Sequence, residues 1–174
     1  HMVSFAQRVP QKNLKEYCQL IDDAIAHSSD YIAAHEQRIG EARRALALET
    51  TPTGKYQRNF RLYELYKPFV SDSAMYFLHQ CIALADETGD ASAAVRCRSL
   101  LAIRCANTGM YDEALNILDS IATRPSPLTI DTLALGTYYE AYNNVYSELA
   151  YYTHLDDMRQ NYQERADHYE QLML

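Results

Sequence analysis

Apolar residues return at three- and four-residue steps along most of this chain, and the plainest case is the stretch from Val95 to Ala122. Val95, Arg98, Leu101, Ala102 and Cys105 share one face of a helix at that spacing. Gly109, a residue type that takes the left-handed conformation after a helix at no steric cost, ends it. A second amphipathic helix follows with Tyr111, Ala114, Leu115, Leu118, Ile121 and Ala122 inward, and Pro125 and Pro127 close the unit. So short a turn forces the two helices antiparallel. Ala102 and Ala114 are small enough to let their axes approach closely.

The series Leu101, Ala102, Cys105, Gly109, Tyr111, Ala114, Leu118 resembles the tetratricopeptide repeat, in which a large apolar residue, a small one, another apolar one, a turn glycine, a tyrosine and an alanine follow in that order. Cys105 stands where that family usually has an aromatic and Arg98 where it often has Trp, which makes this repeat divergent. Asp72-Ser73-Ala74 with Leu78 matches Asp112-Glu113-Ala114 with Leu118 at an offset of 40 positions. The same unit therefore occurs at least twice.

The other elements are placed around these. Helix one is expected over 11–27 with Leu14, Tyr17, Cys18, Ile21, Ala24 and Ile25 inward. Helix two, capped by Ser28 or Ser29, carries a narrow seam of Ile32, His35, Ile39, Ala42 and Leu46. Together they predict an N-terminal helical hairpin over 11–49 that packs along the repeats. Thr50 to Gly54 reads as a loop. Helix three from Lys55 and helix four from Ser71, with the stripe Ala74, Phe77, Leu78, Cys81, Ile82 and Ala85, make a divergent repeat over 55–88. The next repeat covers 90–122. Ser126-Pro127 supplies a cap and first-turn pair for a long helix seven, and Thr153-His154 separates it from helix eight, giving a C-terminal hairpin over 127–174. The fold class is all-α: a TPR-like right-handed superhelix of about eight antiparallel helices, all one solenoid domain.

Composition narrows the function. The formal charge of -7 disfavours nucleic-acid binding, which depends on neutralising phosphates. No apolar run approaches the ~20 residues a membrane span needs, so membrane attachment would come only through segments outside this stretch. Residues 1–2, His1-Met2, read as the remnant of a tag, since translation does not begin with His; the missing leader therefore carries no weight. The four cysteines show no C-x-x-C spacing. Cys97 and Cys105 lie ~12 Å apart along one helix, too far for a disulfide, and the thiols read as small buried hydrophobes.

A second, wider resemblance rests on Tyr31, His35-Glu36, Arg38-Ile39, Leu62-Tyr63, Leu65-Tyr66, Asp72-Ser73-Ala74, Tyr76, Tyr138-Tyr139, Tyr142 and Glu148-Leu149-Ala150 with Tyr152. This pattern resembles the extracytoplasmic region of membrane-anchored transcriptional regulators of gut anaerobes, which carry a conserved domain of unknown function. The resemblance implies a periplasmic sensory or protein-interaction region and brings no catalytic residues; composition by itself is equally compatible with the cytoplasm.

Fifteen tyrosines without one Trp are the compositional oddity. Tyr138, Tyr142 and Tyr146 fall on one helix face, beside Tyr139. They can line a ligand groove or pack helix against helix with their hydroxyls at the rim. The first helix of each pair lines the concave surface of such repeats, which adds Asn59, Tyr63 and Lys67 on helix three and Arg96, Ser99, Ile103 and Asn107 on helix five as candidate groove residues. The bland reading of each is solvated surface. His35-Glu36 starts like H-E-x-x-H, but Ile39 replaces the second His. Thr53-Gly54-Lys55 lacks the earlier glycine and strand of a phosphate loop. Asp22-Asp23 and Asp156-Asp157 point about 100° apart on a helix, which does not suit a paired acid and base. No metal, cofactor or catalytic group is expected. The expected function is non-catalytic: binding a peptide, protein partner or small ligand, or, as the alternative, homodimerisation through the tyrosine-rich helix with no ligand.

Overall fold

The computed structural model describes residues 14–123 and 130–174, in which eight helices and no strands occur. These are α1 Leu14–Ala26, α2 Ser28–Leu48, α3 Pro52–Tyr66, α4 Ser71–Thr88, α5 Ala91–Ala106, α6 Tyr111–Ala122, α7 Thr132–Tyr152 and α8 Asp156–Gln171. The all-α repeat architecture read from the sequence is the one observed. None of these helices is long and apolar enough to cross a membrane. The chain divides into two compact units, residues 1–40 and 41–174.

In the first unit, His27 alone separates α1 from α2. His27 N donates to Asp23 O at 3.1 Å and Tyr31 N to His27 O at 3.3 Å, helix-type bonds that carry the chain onward. One residue is too short a connection to reverse a helix. The junction therefore does not form the hairpin expected over 11–49. Tyr17, Ile21, Ile25 and Ile32 are all exposed, although α1 is strongly amphipathic.

The second unit is the repeat stack. α3 pairs with α4, α5 with α6 and α7 with α8, while α5 also packs on α4 and α7, and α6 on α7. Ala74 and Ala114, with Leu78 and Leu118, are completely buried, so the matched motif occupies the same structural place in both repeats. Leu62, Cys81, Cys97, Ala102, Ala141 and Val145 complete the sealed centre.

The turns follow from local chemistry. Thr51 caps α3, its Oγ1 accepting from Gly54 N at 3.1 Å, with Pro52 in the first turn. The segment expected as a loop is thus a helix start, because a capping Thr followed by Pro nucleates a helix as readily as it breaks one. Asp90 Oδ1 accepts from Ala93 N at 2.9 Å to cap α5, and Asp131 Oδ1 from Ala134 N at 2.7 Å to cap α7. The Ser126-Pro127 pair lies outside the described residues; α7 as described begins at Thr132. The second helices, α4, α6 and α8, have apolar Val70, Met110 and Leu155 at the cap and rely on first-turn acids: Asp72, Asp112 with Glu113, and Asp156 with Asp157.

Candidate functional site

The face formed by α3 and α5 carries most of the candidate groove residues, and the structure sorts them into lining and support. Asn59 is buried and its Nδ2 donates to Lys55 O at 2.8 Å. Ser99 is fully buried with its Oγ donating to Val95 O at 2.9 Å. Tyr63 is 3% exposed, and burial pushes its hydroxyl pKa up. Ser99 and Tyr63 are thereby withdrawn from solvent, while Asn59 borders a separate cavity with Lys55, Tyr76 and Gln80. The groove positions carried over from the repeat fall, for these three, where α3 and α5 turn towards the core.

Arg96, Ile103, Lys67 and Asn107 remain at least partly accessible. The Arg96 guanidinium lies 4.6 Å from the centroid of the Phe60 ring, a cation-over-ring contact that holds it across from α5 to α3. Phe60 in turn sits between Tyr56 and Tyr63, at 6.1 Å and 5.4 Å between ring centres. Arg104 Nη1 reaches Lys67 O at 3.4 Å. With its amide turned to face Arg104, Asn107 accepts from Arg104 Nη2 at 2.9 Å and its Nδ2 donates to Ile103 O at 3.3 Å. The Nε of Arg104 is buried without an acceptor among the described residues. Among those residues, no carboxylate lies within ion-pair distance of Arg96, Lys67 or Arg104.

Phe60 and Arg104 were missed by the sequence reading. Tyr56, Phe60, Tyr63 and Lys67 form a stripe at four- and three-residue steps, and that aromatic-to-cation stripe was the available signal. Arg104 follows from Lys67, which needs the helix pairing to be known.

The α7 tyrosines take the packing alternative. Tyr142 and Tyr146 are buried, and Tyr138 is half-buried. The Tyr142 ring stacks on Tyr169 of α8 at 4.4 Å and 5°, and Tyr146 stacks near Tyr162 and Tyr169, both at 6.2 Å. Arg165 closes the row, its Cζ 5.4 Å from the Tyr146 ring and its Nη1 donating to Tyr146 Oη at 3.1 Å. Tyr142 Oη donates to Asp119 Oδ1 at 2.8 Å, and Tyr138 meets Tyr142 edge-on at 5.1 Å. Burial first, then the bonds to Tyr138 and Asp119, drive the Tyr142 hydroxyl pKa far up. At Tyr142 and Tyr146 the face expected to be a groove or a dimer surface is covered by α8 of the same chain, because α8 brings Tyr162, Tyr169 and Arg165 at matching spacing.

The thiols divide differently from the expected inner faces. Cys81, Cys97 and Cys105 are buried, and Cys18 is exposed. Cys97, off the apolar stripe of α5, is enclosed by α3: Tyr56 Oη lies 3.4 Å from its Sγ, and Cys81 Sγ donates to Tyr56 O at 3.7 Å. The bond to Cys81 lowers the Cys97 thiol pKa, while that same bond and burial raise that of Cys81.

Paired antiparallel helices, a 40-position recurrence and a mixed aromatic and cationic face define a tetratricopeptide-type repeat module, a class whose general role is protein interaction. More particularly, the chain belongs to the family described as the SusR N-terminal TPR domain, whose sequence model matches residues 25–174. Comparison with curated proteins and with solved structures found no match.

Proposed function

We propose that this chain is the sensory or partner-binding region of a membrane-anchored regulator, working outside the cytoplasm, and that it docks a peptide or protein segment on the α3/α5 face. The extracytoplasmic setting rests on the resemblance drawn from the sequence. The binding face rests on one observation: Arg96 lies over the Phe60 ring, Arg104 follows about two helical turns further along α5 and reaches the Lys67 carbonyl, and among the described residues no carboxylate stands within ion-pair distance of Arg96, Lys67 or Arg104. A site of that make-up suits a carboxylate, either an acidic side chain or a chain terminus, next to an apolar residue. Arg supplies a planar fork for the carboxylate and Phe60 a surface for the apolar neighbour. The domain's overall negative charge sharpens the choice, since an acidic segment repelled elsewhere on the surface is attracted here.

The test is selection of ligands from a random peptide display library by the purified chain, followed by calorimetric titration of the selected peptides. Acidic-apolar sequences are expected, with Arg96→Glu combined with Lys67→Glu weakening them by ten-fold or more while the helical circular dichroism is unchanged. Selected peptides without an acidic residue, or equal affinity for the charge-reversed variant, would rule this face out.

The assembly reading keeps one observation of its own. Tyr151, Tyr152 and Leu155 are 79%, 59% and 62% exposed at the α7–α8 turn. Light scattering on the wild type and on Tyr151→Ser with Tyr152→Ser separates the readings: a dimer dissolved by those changes supports assembly, and a monomer in both cases favours ligand docking.

A further inference from the structure

A second concavity lies away from the α3/α5 face, between the α4–α5 turn and the facing ends of α6 and α7. Its volume is about 510 Å³, within the range of small-molecule and side-chain pockets. Ile121 and Leu135 form apolar walls and Tyr138 an aromatic one. Tyr138 is held by its edge-on contact with Tyr142, so that wall is preformed.

Arg98 is the cation of this cleft. It is only 9% exposed, and its Nη2 donates to Asp86 Oδ2 at 2.5 Å. Its Nη1 is buried and has no acceptor among the described residues. A buried guanidinium nitrogen without an acceptor is a costly state, and one that an incoming acceptor relieves. Charge decides what that acceptor is. Asp86 already neutralises Arg98, and Asp90 lines the same cleft with one oxygen committed to the α5 cap. Two carboxylates thus already line the cleft, which leaves a neutral carbonyl as the fitting acceptor.

We infer that this cleft is a second binding site, which takes an apolar side chain together with its adjoining neutral peptide carbonyl, the carbonyl accepting from Arg98 and the side chain lying against Ile121, Leu135 and Tyr138. Such a ligand is an internal apolar position of a peptide, as distinct from a free chain terminus. The site is separate from the α3/α5 face, so a partner with both features would be gripped at two places on the stack.

The test uses the intact chain and N-acetyl-leucine amide as probe, followed by two-dimensional NMR. Saturable shifts are expected at the Arg98 side-chain N–H and at amides of Gly89 to Val95. Ala122→Trp, a change at an exposed residue lining the cleft, should weaken binding by ten-fold or more without touching the core. N-acetyl-leucine, which carries the carboxylate, should bind at least ten-fold more weakly than the amide. Arg96→Glu should leave the probe's affinity unchanged, which keeps this site distinguishable from the α3/α5 face. Absence of saturable shifts at these residues would overturn the inference. So would wild-type affinity in Ala122→Trp, or a carboxylate probe that binds as well as the amide.

Discussion

The tyrosines of this chain act as structural members whose hydroxyls are kept neutral. Burial is the largest cause of the raised pKa at Tyr56, Tyr63, Tyr138, Tyr142 and Tyr169, and nearby Asp119 adds to it at Tyr138, Tyr142 and Tyr169. The sign of the resulting pH dependence follows directly. A hydroxyl whose folded pKa lies above its ordinary value of 10.0 binds its proton more tightly when folded. Its contribution to stability is complete below that value and is lost as pH rises through it towards the folded pKa. Denaturant midpoints should therefore be flat through the neutral range as far as tyrosine is concerned and fall above about pH 10. Part of the tyrosinate absorbance, that of buried rings such as Tyr63 and Tyr142, should rise only late, coincident with loss of helix. A single early step covering every ring would contradict the packing described for α7 and α8. At this scale the sequence disclosed which positions matter and less of how they are used. Tyr138, Tyr142 and Tyr146 were visible as a stripe, but a stripe fits groove and core equally until α8 is placed against it. Arg98 was legible as an inward residue, whereas its pairing with Asp86 was not, because the two come together only when the end of α4 meets α5.

Among the elements, the glycines separate conformational need from vacancy. Gly109 has φ +83°, and a Cβ there would meet nothing within 4 Å. Its exchange for Ala thus carries only the backbone cost of the left-handed region. Gly109→Ala should lower stability by roughly 1 kcal/mol. Gly136 lies inside α7 at an ordinary helical angle, also with open space around its missing Cβ. Gly136→Ala should raise stability by about 0.5–1 kcal/mol through helix propensity and a less flexible unfolded chain. Paired thermal melts of the two variants check this, and a common direction for both would refute it. The Gly109 stop was readable because the glycine closes an apolar period, and its bond from Met110 N to Cys105 O at 2.9 Å completes the expected cap. The start of α3 was misread because Thr51, Pro52 and Gly54 are turn formers in one context and a helix first turn in another. Glu49 decides it: its Oε1 accepts from Thr50 N and Thr51 N at 3.0 Å each and from Thr51 Oγ1 at 2.8 Å, fixing the approach to the cap.

Across the whole molecule, stability is set by how many neighbours each helix has. α5 contributes nine buried residues and packs against α4, α6 and α7, so it opens only when the repeats on both sides of it give way. α8 contributes Ala166 alone to the buried set and packs against α7, where stacked rings hold it. No described side chain in residues 15–40 is buried. In a stack stabilised by nearest-neighbour contacts, opening free energy should follow that order. Native-state hydrogen exchange should find the slowest amides in α5, intermediate protection in α3, α4 and α7, earlier opening in α8, and α1 exchanging through local opening that does not depend on denaturant. Leu101→Ala, at a residue 4% exposed within α5, should cost about 2–4 kcal/mol and speed exchange throughout helices α3 to α7. A surface change in α8 such as Gln163→Ala should leave α5 protection unaltered. If α8 or α1 proved as protected as α5, or if Leu101→Ala loosened only its own helix, the repeats would not be coupled through α5. A partner bound on the α3/α5 face would then have no mechanical route to the C-terminal pair. Protection that falls off outward from α5 would instead make that helix the element that couples the repeats on either side of it.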